Sequence, residues 1–205
     1  MKARLLLALC MMFILSLGAR AEWGSPHGSP QNNAVRPMPA SVNDLSVSNW
    51  ETGNLQLAGG ATPVFYEKWP FLVFVPRWFD DGSTSRTTVL ALKSEDGSIA
   101  WESQPLSEGI SRSYASVSAC TVDEADQAVY YPTGGVVYKL NALTGAVDWA
   151  TTITATNTQA GLGLYDFCNS SVQVGTDKVF VETYGNYMAT DRQLIALDKT
   201  DGSIE

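Results

Sequence analysis

An all-β fold, assembled from a repeated unit of four short antiparallel strands, is predicted by three observations. The first is a phrase that occurs three times. Val89-Leu90-Ala91-Leu92 leads through Asp96-Gly97-Ser98-Ile99 to Trp101. Val137-Tyr138-Lys139-Leu140 leads through Thr144-Gly145-Ala146-Val147 to Trp149. Leu194-Ile195-Ala196-Leu197 leads through Asp201-Gly202-Ser203-Ile204 to Glu205, the last residue. The second is the period: 48 residues separate Gly97 from Gly145, and 57 separate Gly145 from Gly202. The third is the spacing of tryptophans, with Trp50, Trp101 and Trp149 standing 51 and 48 residues apart. Each phrase reads as an alternating, half-buried strand, a hairpin closed by a glycine, and a second strand bearing an aromatic that needs a surface to cover it.

A four-stranded unit recurring at this period is that of a β-propeller blade. The wording A-L-x-x-x-x-G-x-x-x-W resembles the repeat of the PQQ-like, or quinoprotein-like, β-propeller family. In that family the hairpin glycine and outer-strand tryptophan of neighbouring blades dock on one another. The resemblance assigns this role to Trp50, Gly97, Trp101, Gly145, Trp149 and Gly202. The family usually has Asp two residues after the alanine; here Lys93 and Asn141 depart from it and Asp198 conforms. About three blades are present, whereas propellers close with typically four to eight. An open stack leaves unpaired strand edges, so the chain is expected to be the N-terminal part of a longer propeller.

The elements follow in order. Residues 1–21 read as a secretory signal peptide: Lys2 and Arg4, an apolar run from Leu5 to Leu17, and an Ala19-Arg20-Ala21 cleavage site. The run is too short for a membrane span, which needs roughly 20 residues, and no span is expected after cleavage. Removing the leader takes three of 13 basic residues and none of 21 acidic ones, for a mature charge of −11. That surface argues against nucleic acid as a partner, and the expected location is secreted or periplasmic. Residues 22–49, rich in Gly, Ser, Pro and Asn, read as extended surface chain; the only histidine, His27, lies there and reads as solvated rather than metal-binding.

Residues 50–205 are the propeller part. Val42–Thr52 is expected to complete a closing blade, as N-terminal strands do in such propellers. The first full blade is expected at Pro63–Glu67, Phe71–Val75, Thr87–Leu92 and Ser98–Glu102. The second spans about Ser116–Thr152, with Gln127–Tyr131 as its second strand and a tight turn at Thr133-Gly134-Gly135. The third begins near Ser170 and continues through Lys178–Thr183 and Gln193–Asp198.

Few residues suggest chemistry. Asp123-Glu124-Ala125-Asp126 gathers three carboxylates in four residues; it could be a calcium loop but lacks EF-hand spacing, and a solvated acidic turn is the favoured reading. Gly161-Leu162-Gly163 lacks the third glycine of a dinucleotide fingerprint, and one histidine leaves no Ser-His-Asp arrangement. Cys120 and Cys168 occupy similar points of consecutive units; two buried free thiols are favoured, with a disulfide as the alternative. The connectors Pro76–Arg86, Ser103–Ser113, Ala155–Phe167 and Glu182–Arg192 are expected on one face. They carry Trp78, Phe79, Arg86, Arg112, Tyr165, Tyr184, Tyr187 and Arg192, a candidate binding face because aromatics and arginines dominate binding hot spots. The alternative is that the long connectors only pack over the second blade's short turn.

The resemblance implies two functions. One is an exported, non-catalytic propeller acting as a binding or assembly scaffold for a protein or carbohydrate partner. The other is the N-terminal part of a quinoprotein dehydrogenase holding PQQ and Ca²⁺, although no residue of this chain matches that family's cofactor motifs.

Overall fold

The computed structural model of the chain describes residues 50–53, 55–58, 62–80, 85–108, 119–133, 135–153, 171–182 and 194–205. Residues 1–49, which include the expected leader and the expected extended segment, lie outside these, as does most of the expected closing strand at Val42–Thr52. The described part is all β. The first sheet is a meander of β1 (Val64–Tyr66), β2 (Leu72–Asp80), β3 (Ser85–Lys93) and β4 (Ile99–Glu102), with β5 (Ser107–Glu108) also paired to β3. The second is β6 (Thr121–Asp123), β7 (Ala128–Thr133), β8 (Val136–Asn141) and β9 (Val147–Thr152). The third is β10 (Gln173–Val174), β11 (Lys178–Glu182) and β12 (Leu194–Asp198), with Ile204 bridging back to Leu197. Every pairing is antiparallel, and all except β3 with β5 join strands consecutive in the chain.

The core lies between the sheets rather than within one. Val64, Tyr66, Leu72, Phe74, Val89 and Ala91 of the first blade meet Val122, Val129, Tyr131 and Leu140 of the second. The second blade's opposite face supplies Ala128, Tyr130, Val137 and Trp149 to Val172, Val174, Val179, Val181 and Leu197 of the third. The second blade is therefore apolar on both faces, and all six residues of β7 are buried. Side chains of a strand alternate between faces, so a sheet covered on both sides loses the polar alternation of a half-exposed strand. The inner strands also neighbour one another: Thr121 Oγ1 donates to Val172 O across 2.9 Å.

Two features differ from the sequence reading. The Pro76–Arg86 connector is not a loop: β2 and β3 stay paired from Leu72↔Lys93 to Asp80↔Ser85, leaving only 81–84 between them. The Ser103–Ser113 connector likewise contains a short strand, with Ser107 and Glu108 opposite Thr87 and Arg86. On the other edge Ala58 N–H donates to Pro76 O and Trp78 N–H to Gln56 O, so residues 56–58 pair with the upper half of β2. The alternating pattern expected of strands is interrupted by Pro76, and yet Pro76 sits within β2, opposite Val89. Because β2 has nine residues and β7 six, the first blade stands roughly 10 Å taller than its neighbour at a strand rise of about 3.3 Å per residue.

Candidate functional site

The seams between blades repeat one joint. Trp50 packs on Gly97, Trp101 on Gly145 and Trp149 on Gly202, so closely that a Cβ on any of the three glycines would lie 2.5 to 2.7 Å from an indole carbon. Each glycine has positive φ, at 70°, 74° and 76°, and each N–H closes the turn onto the residue four before it. The three indole N–H groups donate to Ser94 O, Ala142 O and Lys199 O, at 2.9, 3.1 and 3.1 Å. Each acceptor stands three residues before the glycine, where a turn would otherwise leave a carbonyl to solvent.

A bulge aims the tryptophan. In β3–β4 the register slips between Ala91 and Leu92, and in β8–β9 at the equivalent step between Lys139 and Leu140. The extra residue is Ala100 in one strand and Asp148 in the other, immediately before the tryptophan in each case. A bulge turns the following side chain out of simple alternation. Trp101 then reaches Phe74 with ring centroids 5.5 Å apart, and Trp149 reaches the equivalent Tyr130 at 5.9 Å.

The acidic turn is solvated at Ala125 and Asp126, as expected, but not at Asp123. Asp123 is 7% exposed, and its Oδ1 accepts from Ala125 N–H at 3.0 Å. Lys199 of the third blade places Nζ 2.5 Å from Asp123 Oδ2 and 3.0 Å from Asp126 Oδ2. Burial alone would push the Lys199 ammonium down, but the hydrogen bonds and charges of the two aspartates outweigh it and hold its pKa above the ordinary lysine value. Lys139 Nζ donates to Lys199 O at 2.8 Å, tying the same turn from β8. Glu124 reaches the other way, accepting from Glu67 N–H with Oε1, while Lys68 Nζ donates to its carbonyl at 2.6 Å. One acidic turn thus clasps both neighbours. Sequence showed the carboxylates; their partners lie too far along the chain for spacing to reveal them.

Trp78 and Arg86 stand on paired strands, with Trp78 opposite Thr87 and Phe79 opposite Arg86. Thr87 and Thr133 bring their hydroxyls to 3.3 Å, so the tall hairpin rises directly beside the second blade's turn. Arg112, Tyr165, Tyr184, Tyr187 and Arg192 lie outside the described residues. Cys120 is a fully buried free thiol whose pKa burial pushes up; Cys168 is outside the described residues. Among the described residues no group of three or more His, Cys, Asp or Glu is placed to hold a metal ion, and no helix is long and apolar enough to cross a membrane.

No curated protein matches the chain in sequence. Among solved structures it is similar to the quinohemoprotein alcohol dehydrogenase ADHIIG from Pseudomonas putida HK5, at 16% identity and a TM-score of 0.60, covering 90% of this chain and 26% of that one. It is similar to a europium-containing methanol dehydrogenase at 18% identity and a TM-score of 0.61, covering 90% and 31%. A weaker likeness, at 13% identity and a TM-score of 0.44, is to BamB from Moraxella catarrhalis, covering 72% and 51%. The chain thus spans about a quarter to a third of the two dehydrogenases' length, and at these identities the likeness is one of fold. Residues 85–205 match the model of a family described as outer membrane protein assembly factor BamB. With that match covering more than half the chain, over blades whose strands and seams are those just described, the protein belongs to this family of PQQ-like β-propellers.

Proposed function

We propose that the protein is an exported, non-catalytic propeller that serves as a binding or assembly scaffold for a protein partner. The observation that carries the reading is how the acidic side chains are used. Asp123 and Asp126 converge on Lys199, and Glu102 on Arg77 and Thr88. These carboxylates hold strands and blades together instead of lining an open site. The family description, an assembly factor, points the same way. The leader-like sequence at residues 1–21 supports export to a periplasmic or extracellular site.

The second reading is a PQQ- and calcium-dependent dehydrogenase, favoured by the fold likeness to two dehydrogenases. The described residues offer no cluster of ligands suited to calcium, so none is assigned to that cofactor pair. Full-length protein incubated with PQQ and Ca²⁺ and offered primary alcohols and sugars, with dye reduction followed, separates the two. The scaffold reading expects no turnover above the cofactor-only background; sustained turnover would replace it with the dehydrogenase.

A further inference from the structure

Each described seam uses the same tryptophan–glycine joint, so the joint cannot tell one blade from another. Backbone hydrogen bonds fix which other positions correspond. Phe71 O accepts from Ser94 N–H at 2.9 Å, Gln127 O from Ala142 N–H at 2.8 Å, and Asp177 O from Lys199 N–H at 3.0 Å. Phe71 and Gln127 also share a left-handed φ, of 59° and 52°. Ser94, Ala142 and Lys199 are therefore one position in three blades, the one whose carbonyl receives the indole N–H. On the innermost strands, Tyr66 opposite Leu72 corresponds to Asp123 opposite Ala128.

These two positions differ from seam to seam. Between the first and second blades, Tyr66 and Ala142 are both buried in one apolar cluster. Between the second and third, Asp123 and Lys199 are buried as an ion pair. A buried ion pair is weak evidence for stability, because apolar groups of similar shape often hold as well. The first seam shows that this architecture accepts apolar groups there. What the charges add is a penalty for wrong partners. A third blade set on the first would bury the Lys199 ammonium beside Tyr66, with no carboxylate on that inner strand. A second blade from another copy, set on this one, would bury Asp123 beside Ala142, with no cation. An unpaired buried charge costs far more than its pair gains. Connectivity does not prevent such errors. Between β9 and β10 lie 20 residues, able to span roughly 65 Å, whereas packed sheets stand about 10 Å apart.

We propose that Asp123 and Lys199 specify blade order. They admit the third blade to the second and exclude other pairings of these similar faces, within a chain and between copies. The pair decides which surfaces meet more than how tightly they hold.

The test refolds the full-length protein from urea, half of it carrying a donor dye and half an acceptor. Monomer recovery and energy transfer between chains are read after dilution. The native chain is expected to return as monomer without transfer. In Asp123→Asn/Lys199→Met, which removes both charges and nearly keeps the side-chain sizes, recovery is expected to fall roughly threefold or more and transfer to rise with concentration. Lys199→Arg keeps the charge and is expected to refold as the native chain does, even if it melts lower. Arg77→Met/Glu102→Gln removes an ion pair between β2 and β4 of one sheet, and should also refold as the native chain does. The proposal is overturned if the neutral seam variant recovers like the native chain, if Lys199→Arg loses recovery to the same extent, or if both neutral pairs lower recovery equally. It is also overturned if sucrose, added until the neutral seam variant melts at the native temperature, restores its recovery, because the pair would then only stabilise. A loss that persists at matched melting temperature is the expected result.

Discussion

Gly145 and Trp101 fit so closely that a single added methyl would overlap the indole: a Cβ on Gly145 would sit 2.5 Å from Trp101 Cε3. The glycine also holds φ at 74°. Two independent costs therefore bar any other residue, one steric and one conformational. Gly145→Ala is expected to destabilise by roughly 2–4 kcal/mol, combining about 1 kcal/mol for positive φ with an overpacking term. In the Trp101→Ala background the same change should cost only about 1 kcal/mol, because the clash has gone and the φ cost remains. Urea unfolding of the four proteins measures this, and strict additivity would contradict the packing account.

Truncating the tryptophans should expose the joint itself. Trp149→Ala is expected to cost roughly 3–5 kcal/mol, and Trp101→Ala somewhat less because its ring is only partly buried. Each change also leaves a turn carbonyl without its indole donor, Lys199 O in one case and Ala142 O in the other. Truncation of either with no change in melting temperature would show that the contact does not hold the blades together.

Lys199 and Asp123 test whether the clasp stabilises or only specifies the seam. Lys199→Met strands a carboxylate whose side chain is 10% exposed, and should cost roughly 3–5 kcal/mol. Adding Asp123→Asn should recover part of that loss, since the uncompensated charge is then gone. A double mutant no better than the single would mean Asp126 or the turn itself carries the effect.

The same pair sets a pH dependence. The folded pKa of Lys199 lies above its ordinary 10.5, so the folded chain holds that proton more tightly than the unfolded chain does. Its contribution is complete below about pH 10.5 and fades as pH rises through the folded value. Burial raises Tyr66 and Tyr130 as well; folding favours their neutral form, so stability falls with alkali from them too. Thermal melts across the alkaline range should fall more steeply for the native chain than for Lys199→Met. Parallel curves would remove Lys199 from the explanation.

Arg77 and Glu102 offer a contrast. Arg77 Nη1 reaches both carboxylate oxygens of Glu102, at 3.0 and 3.1 Å, but both side chains are about a third exposed. Arg77→Ala is expected to cost no more than about 1 kcal/mol, and less at high salt. A loss as large as that of Lys199→Met would show that exposure does not separate the two pairs.

Much of the fold was legible because the chain states it repeatedly. The spacing of Gly97, Gly145 and Gly202, and of the tryptophans between them, reports a local hairpin whose geometry depends on nearby residues alone. Strand order followed for the same reason, since in each blade strands consecutive in the chain pair with one another. What the sequence could not show was decided across the seams. Pro76 and Arg86 read as loop because proline and polar residues interrupt the alternation; the pairing of 56–58 and 107–108 on either edge supplies the hydrogen bonds that extend β2 and β3. Asp123 read as a solvated turn because its cation, Lys199, is 76 residues away and arrives only when the third blade stacks. The position of Phe71, aromatic and left-handed at an exposed turn, likewise depends on Ser94 from the next hairpin. Local geometry is written in local residues, whereas burial and charge pairing depend on which surfaces meet, and those meetings exist only in the folded stack.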